Sequence, residues 1–139
     1  MNVKNLTINS IAFAITICFL SCSMLNDNLE MIGDWKSENS ESADLGAVKY
    51  VLTISENNLF EFQTHILETS EIMGFSGIFE FQKRTLTLNF QYGFGLINGE
   101  KIAKEEIDIT EVYKVISLNT ERLELKELSS GSILLLKKR

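Results

Sequence analysis

The chain has 139 residues, 45% of them hydrophobic and 23% charged, with no proline, and this composition is typical of one small globular domain. An excess of 19 acidic over 13 basic residues leaves no basic stripe to neutralise phosphates, which argues against nucleic-acid binding. With one histidine, two cysteines and no glycine-rich phosphate loop, the sequence offers no nucleophilic triad, zinc site or nucleotide cradle. We therefore expect no enzyme activity, no cofactor and no metal site.

The first feature along the chain is an apolar run over residues 11–20. A membrane-spanning helix needs about 20 apolar residues, whereas a secretory signal peptide has a shorter apolar region that ends in small residues. Residues 19–22, FLSC, resemble a bacterial lipobox, in which the chain is cut before a cysteine that receives lipid. The resemblance implies that residues 1–21 are a lipoprotein signal peptide, that Cys22 is acylated, and that the protein lies in the cell envelope at the outer membrane. The alternative is ordinary signal cleavage, in which Cys22 has no role.

After the signal peptide the chain changes character twice. Residues 22–31 are polar and lack periodic apolar positions, as expected for a lipidated tether. Residues 32–139 alternate apolar and polar side chains with a period of two, which is typical of half-buried strands, and no helix competes with them. We predict eight strands, at about residues 33–38, 47–55, 59–66, 74–81, 85–92, 106–118, 122–128 and 132–138. In the sixth of these, the apolar phase changes between Val115 and Ile116, which predicts a β-bulge.

The connections between these strands alternate in length. Short connections, of the kind that joins adjacent antiparallel strands, are predicted at 56–58, 82–84 and 119–121. The other four connections are 39–46, 68–73, 93–105 and 129–131, three of them longer. In an up-and-down meander the short connections all lie at one end and the others at the opposite end. Because an open eight-stranded meander leaves two exposed edges, the pattern favours a closed barrel with one closed and one open end.

The start of the first predicted strand carries a family signature. Gly33-Asp34-Trp35 matches the Gly-x-Trp signature of the lipocalins, and residues 31–139 are similar to the small lipocalin-like lipoproteins of Gram-negative bacteria. The resemblance implies an all-β, eight-stranded, up-and-down antiparallel barrel in which the tryptophan packs at the closed end under a basic residue of the last strand. The candidates for that basic residue are Lys137, Lys138 and Arg139. The alternative is a plain core tryptophan without a cationic partner.

Six apolar and aromatic residues fall on the inward phase near the predicted open end. Eight-stranded barrels are just wide enough to hold one small ligand, so these side chains would line a pocket for an apolar or amphipathic molecule. They are Tyr50, Ile66, Phe75, Phe90, Tyr92 and Ile109. The alternative is an interior filled by its own side chains, since Phe60, Phe62, Phe79 and Phe81 also point inward. In that case the protein would be an interaction module, such as an inhibitor, immunity or assembly factor.

Two polar features remain. His65 alternates outward with Gln63 and reads as a solvated strand residue without the partners that a metal or catalytic site requires. The acidic residues of the sixth predicted strand lack the ligand spacing and the central glycine of a calcium-binding loop. We therefore interpret them as a solvent-exposed face of the strand. They are Glu105, Glu106, Asp108 and Glu111.

Overall fold

The computed structural model describes residues 29–97 and 100–139; the predicted signal peptide, Cys22 and the tether up to residue 28 lie outside the described residues. Residues 29–31 are helical, and nine strands follow within the described part of the chain. The strands are β1 (Gly33–Ser37), β2 (Ser40–Ser42), β3 (Gly46–Ile54), β4 (Leu59–Ile66), β5 (Glu71–Gln82), β6 (Thr85–Ile97), β7 (Glu100–Leu118), β8 (Arg122–Glu127) and β9 (Ile133–Lys138).

The strands close into an antiparallel barrel. Strands β3 to β9 pair consecutively, and β1 pairs with β9 on one side and with β3 on the other. The short strand β2 adds only three residues beside β3, so eight strands complete the circuit. Closure pairs every strand of the ring on both sides over at least part of its length, which shortens the free edges through which sheets aggregate. The predicted eight-stranded up-and-down barrel is confirmed.

The three connections that were predicted to be short, between β3 and β4, β5 and β6, and β7 and β8, are at one end of the barrel, and we call this the closed end. At the turn between β5 and β6, Lys83 and Arg84 both adopt positive φ, 51° and 60°, as a two-residue hairpin turn of this twist requires. Arg84 is held there because its guanidinium donates hydrogen bonds of 3.1 Å to the carbonyl oxygens of Val115 and Ile116. The pairing of β7 with β8 shifts register between Val115 and Ser117, so the predicted bulge is also confirmed.

The other end, which we call the open end, differs from the prediction. Residues 93–105 were predicted as a long loop, but β6 continues to Ile97 and β7 begins at Glu100. Likewise β5 begins at Glu71, within the predicted 68–73 connection, and β2 lies within the predicted 39–46 connection. These segments are rich in glycine and charged residues, which hide the alternation, while backbone pairing between strands does not depend on it. The strands β5, β6 and β7 are therefore much longer than β8 and β9.

The predicted tether also ends earlier than expected. Met31 is fully buried in the barrel core, and residues 29–31 form a helical turn where we expected no helix. A single apolar residue carries no periodicity, so the sequence pattern could not distinguish it from a linker residue. The helical turn comes directly before β1 and covers the core at the closed end of the barrel.

Candidate functional site

The closed half of the barrel is densely packed. Trp35 is fully buried, and its Nε1 donates a 2.8 Å hydrogen bond to the carbonyl oxygen of Met31. Lys138, at the end of β9, places its Nζ 5.0 Å from the Trp35 ring centroid, so one of the three predicted basic partners is present. Gly33 has a φ of 134°, and a Cβ atom there would lie 2.8 Å from the Lys138 side chain. Because the glycine of the Gly-x-Trp signature has no side chain, the Lys138 side chain has room to reach the indole.

Aromatic side chains fill the middle of the barrel. Phe90 meets both Phe60 and Phe75 edge to face, with ring centroids 5.0 Å and 5.8 Å apart, and Tyr50 stacks on Phe62 at 5.7 Å. Such geometries are favourable for aromatic pairs beyond the area they bury. Three predicted pocket residues, Tyr50, Phe75 and Phe90, are therefore on the inner face and lie within this aromatic group.

The inner face is not packed at the open end. Ile109 pairs with Phe90 across β6 and β7 and so shares its inner face, yet Ile109 is 50% exposed whereas Phe90 is 6% exposed. The cause is the unequal strand length, because β8 stops pairing with β7 at Tyr113 and Glu127, which leaves the upper part of β7 without a neighbour on that side. The partly exposed apolar side chains of the inner face define what we call the mouth: Tyr50, Phe62, Phe75, Ile107, Ile109 and Leu134.

The remaining two predicted pocket residues differ in outcome. Ile66 is on the inner face, where it pairs with the buried Val48, and it is 8% exposed. Tyr92 is not on the inner face, and that prediction is wrong. The pairing of β5 with β6 runs from Gly77–Phe90 to Ser76–Tyr92, so Gln91 is an extra residue that reverses the alternation beyond it.

On the outer face Tyr92 has a different environment. The ammonium of Lys104 lies 3.9 Å from the centroid of the Tyr92 ring, and both residues line a shallow outer groove of about 440 Å³ with Glu61 and Ser76. Gly77 allows the bulge beneath this groove, because a Cβ there would lie 1.9 Å from the Asn89 carbonyl oxygen. The protein's own lysine covers the ring face, so we assign no ligand to this groove.

Sequence reasoning missed one polar pair in the barrel interior. Glu111 pairs with the buried Leu88 and therefore faces inward, where the Tyr113 hydroxyl donates a hydrogen bond to its Oε2. Burial raises the pKa of the Tyr113 phenol well above its ordinary value, and the charges of Glu111 and Glu127 raise it further. The sequence could have predicted the inward position of Glu111, since Ile109, Glu111 and Tyr113 alternate along one strand and therefore share a face.

A side opening lies between β1 and β9. Pairing of these strands ends at Ser37 and Leu136, and beyond that point a cleft of about 320 Å³ opens in the barrel wall. Its lining joins inner-face residues, including Tyr50 and Leu134, to outer residues such as Lys137. An exposed 2.6 Å ion pair between Lys137 and Glu38 lies at this cleft, and exposed pairs of this kind contribute little to stability.

Of the polar residues considered in the sequence, His65, Glu106 and Asp108 are on the outer face, whereas Glu105 and Glu111 are on the inner face, contrary to the predicted solvated face. His65 contacts Gln63 through a 2.7 Å hydrogen bond, and burial together with the charges of Lys49 and Lys36 lowers the pKa of its imidazole. Across residues 29–97 and 100–139, no three histidine, cysteine, aspartate or glutamate side chains come together as metal ligands. Nor does that part of the chain contain a helix of the length and apolarity needed to cross a membrane.

The closed, eight-stranded, up-and-down antiparallel barrel, with Gly33 and Trp35 at its closed end, is a lipocalin-like architecture. No protein-family model matches the chain, and no curated protein matches its sequence. Among solved structures, the chain is similar to a lipocalin-like protein from Bacteroides uniformis at 15% identity and a TM-score of 0.49. That alignment covers 79% of this chain and 99% of the other.

Proposed function

We propose that this protein binds a small apolar or amphipathic ligand in the mouth of its barrel, without catalysis. The observation that carries the proposal is the contrast between the neighbours Phe90 and Ile109, which share the inner face but are 6% and 50% exposed. Burying a side chain such as isoleucine is worth about 1.5–3 kcal/mol. Because Ile109 is already half-buried, an apolar ligand that covers it would recover about half of that free energy.

The floor of the mouth supports the same proposal. Phe75 and Phe90 are held edge to face, and Tyr50 is held by Phe62, so the surface that a ligand would meet is already ordered. A preformed pocket binds more tightly than one whose side chains must be ordered on binding. The mouth thus combines exposed apolar area with a rigid base, the two properties typical of small-molecule sites.

The second part of the proposal is membrane attachment through Cys22. Met31 and Trp35 are at the closed end, so the chain leading back to Cys22 leaves from that end. The seven residue steps from Cys22 to Leu29 span at most about 25 Å when fully extended. We propose that acylation of Cys22 holds the closed end near the surface of the outer membrane and leaves the mouth facing away.

A protein-interaction module is the alternative, and one observation favours it. On β9, Ile133 and Leu135 are 59% and 46% exposed, and these residues pair only with β8. Exposed apolar side chains beside a strand edge are a common way to bind an extended peptide. The two functions differ in their ligand, which is a small molecule in one case and another polypeptide in the other.

Native mass spectrometry of the protein purified from its own host distinguishes the two functions. We expect a fraction of the protein to carry an additional small-molecule mass that is lost on unfolding. The identity of the released molecule would then be read from its fragmentation. A protein that carries no such mass and also fails to take up the neutral apolar probe N-phenyl-1-naphthylamine would contradict the proposed ligand binding.

A further inference from the structure

The polar pair inside the mouth gives the site a chemical preference. Glu111 is half-buried on the inner face, two residues along β7 from the exposed Ile109, and Tyr113 donates a hydrogen bond to its Oε2. Its other oxygen, Oε1, has no protein partner among the described residues. A carboxylate with an open acceptor site next to apolar surface is suited to bind a polar head group that donates a hydrogen bond.

The Tyr113 hydroxyl uses its one hydrogen in the bond to Glu111. Tyr113 is 8% exposed and its hydroxyl donates a hydrogen bond to Glu111, whose Oε2 is the acceptor in this pair. The hydroxyl cannot serve both Glu111 and a ligand acceptor with the same hydrogen. The fixed polarity of the pair therefore disfavours a head group that only accepts hydrogen bonds.

The charges on the inner face have the same sign throughout the open half. Pairing places further carboxylates there, at Glu71 beside Ile66, Glu105 beside Gly93 and Glu127 beside Tyr113. In the described part of the chain, the basic residue on the inner face is Lys138, at the closed end over Trp35. A negatively charged head group on the inner face of the mouth would thus lie beside carboxylates, and the repulsion between like charges opposes its binding.

We infer that the ligand of the mouth is an alkyl chain whose head group donates hydrogen bonds and carries no negative charge, a hydroxyl or an ammonium, and that Glu111 receives it. The inference rests on the proposed function, since it assigns the ligand class of the same site. Glu111 determines the specificity of the site, and the apolar side chains of the mouth supply most of the affinity. Fatty-acid carboxylates of the same chain length are discriminated against.

The test is displacement of bound N-phenyl-1-naphthylamine from the purified protein by three molecules of equal chain length: dodecylamine, dodecanol and dodecanoate, each below its micellar concentration. We expect dodecylamine and dodecanol to displace the probe at concentrations at least about tenfold lower than dodecanoate, the difference expected for one hydrogen bond to a charged group. Glu111→Gln should abolish most of the preference for dodecylamine over dodecanoate. Glutamine retains an acceptor oxygen for the Tyr113 hydroxyl, so the fold has no reason to change, and a thermal melt checks this.

Glu106→Gln is the matched control, because Glu106 is on the same strand but pairs with Tyr92 on the outer face. The control should keep the wild-type preference, and its loss would show that net charge rather than the Glu111 position is responsible. Equal displacement by dodecylamine and dodecanoate in the wild type would overturn the inferred ligand class while leaving apolar binding intact. A wild-type protein that binds no probe would overturn the proposed function itself, and the inference with it.

Discussion

Lys138 holds its ammonium 5.0 Å from the ring centroid of Trp35, at the end of the barrel where the chain enters. The same indole donates its Nε1 hydrogen to the carbonyl oxygen of Met31, so the first and last parts of the domain meet on one side chain. Trp35 therefore joins the entering helical turn, β1 and β9 into a single plug. This plug is structural, since it lies at the opposite end from the mouth.

Removing the centre of this plug should be costly. We expect Trp35→Ala to lower the free energy of unfolding by about 3–5 kcal/mol, the usual effect of deleting a large buried aromatic side chain. Lys138→Met should lower it by only about 0.5–1 kcal/mol, because the cation is largely in solvent. Urea melts of both variants measure these values. A loss of less than about 1 kcal/mol for Trp35→Ala would mean that the indole is not the centre of the closed end.

Met31 provides a second test of the same region. Because it is fully buried, we expect Met31→Ala to lower the free energy of unfolding by about 2–5 kcal/mol. Leu29→Ala is the control, since Leu29 is 59% exposed and its truncation should have little effect. Equal melts for the two variants would show that residues 29–31 are a linker, as their sequence alone suggests.

The barrel could be predicted from the sequence because its central strands alternate cleanly. Val48, Leu52 and Ile54 on β3 share one phase and are buried together, and the phase change at Ile116 indicated its bulge correctly. The prediction of element boundaries failed where burial or strand pairing does not produce an alternation of apolar and polar residues. Met31 is buried without any periodic neighbour, and the upper parts of β6 and β7 are held by backbone pairing despite their glycine and charged residues.

The candidate site was predicted in part for a related reason. Five of the six pocket residues are on the inner face, but the bulge at Gln91 moves Tyr92 to the outer face, and one inserted residue leaves no trace in a short alternating run. The exposure of Ile109 depends on β8 ending early, which is a property of the neighbouring strand and not of the sequence around Ile109. Glu111 was assigned to solvent because an acidic residue on a strand is usually outward.

The Tyr113 phenol should resist ionisation in the folded protein. Its pKa is raised, so the native state favours the protonated form, and the stability of the fold should fall as pH rises above about 10, where the unfolded chain loses this proton. Ultraviolet absorbance at alkaline pH compares the wild type with Tyr113→Phe. While both are folded, their tyrosinate absorbance should be the same, and after unfolding the wild type should show one tyrosinate more. A difference of one tyrosinate before unfolding would mean that the hydroxyl is accessible to solvent.

The proposed membrane anchor can be tested independently of the barrel. We expect Cys22→Ser to abolish incorporation of labelled palmitate and to move the protein from the membrane fraction to the soluble fraction, because stable anchoring requires more than one acyl chain. The substitution Cys18→Ser is the control, since Cys18 lies within the predicted signal peptide. Unchanged membrane association of Cys22→Ser would contradict the lipoprotein assignment.

The proposed site requires that apolar ligands bind against the exposed inner face of β7. A titration of N-phenyl-1-naphthylamine into wild type, Ile109→Gln and Ile116→Gln tests this directly, because the two isoleucines are on one strand and are 50% and 44% exposed. We expect Ile109→Gln to weaken probe binding by about threefold to tenfold, the value of burying the exposed half of an isoleucine side chain, and Ile116→Gln to bind as the wild type does. Equal affinity of all three proteins, or no binding by the wild type, would contradict a ligand site in the mouth.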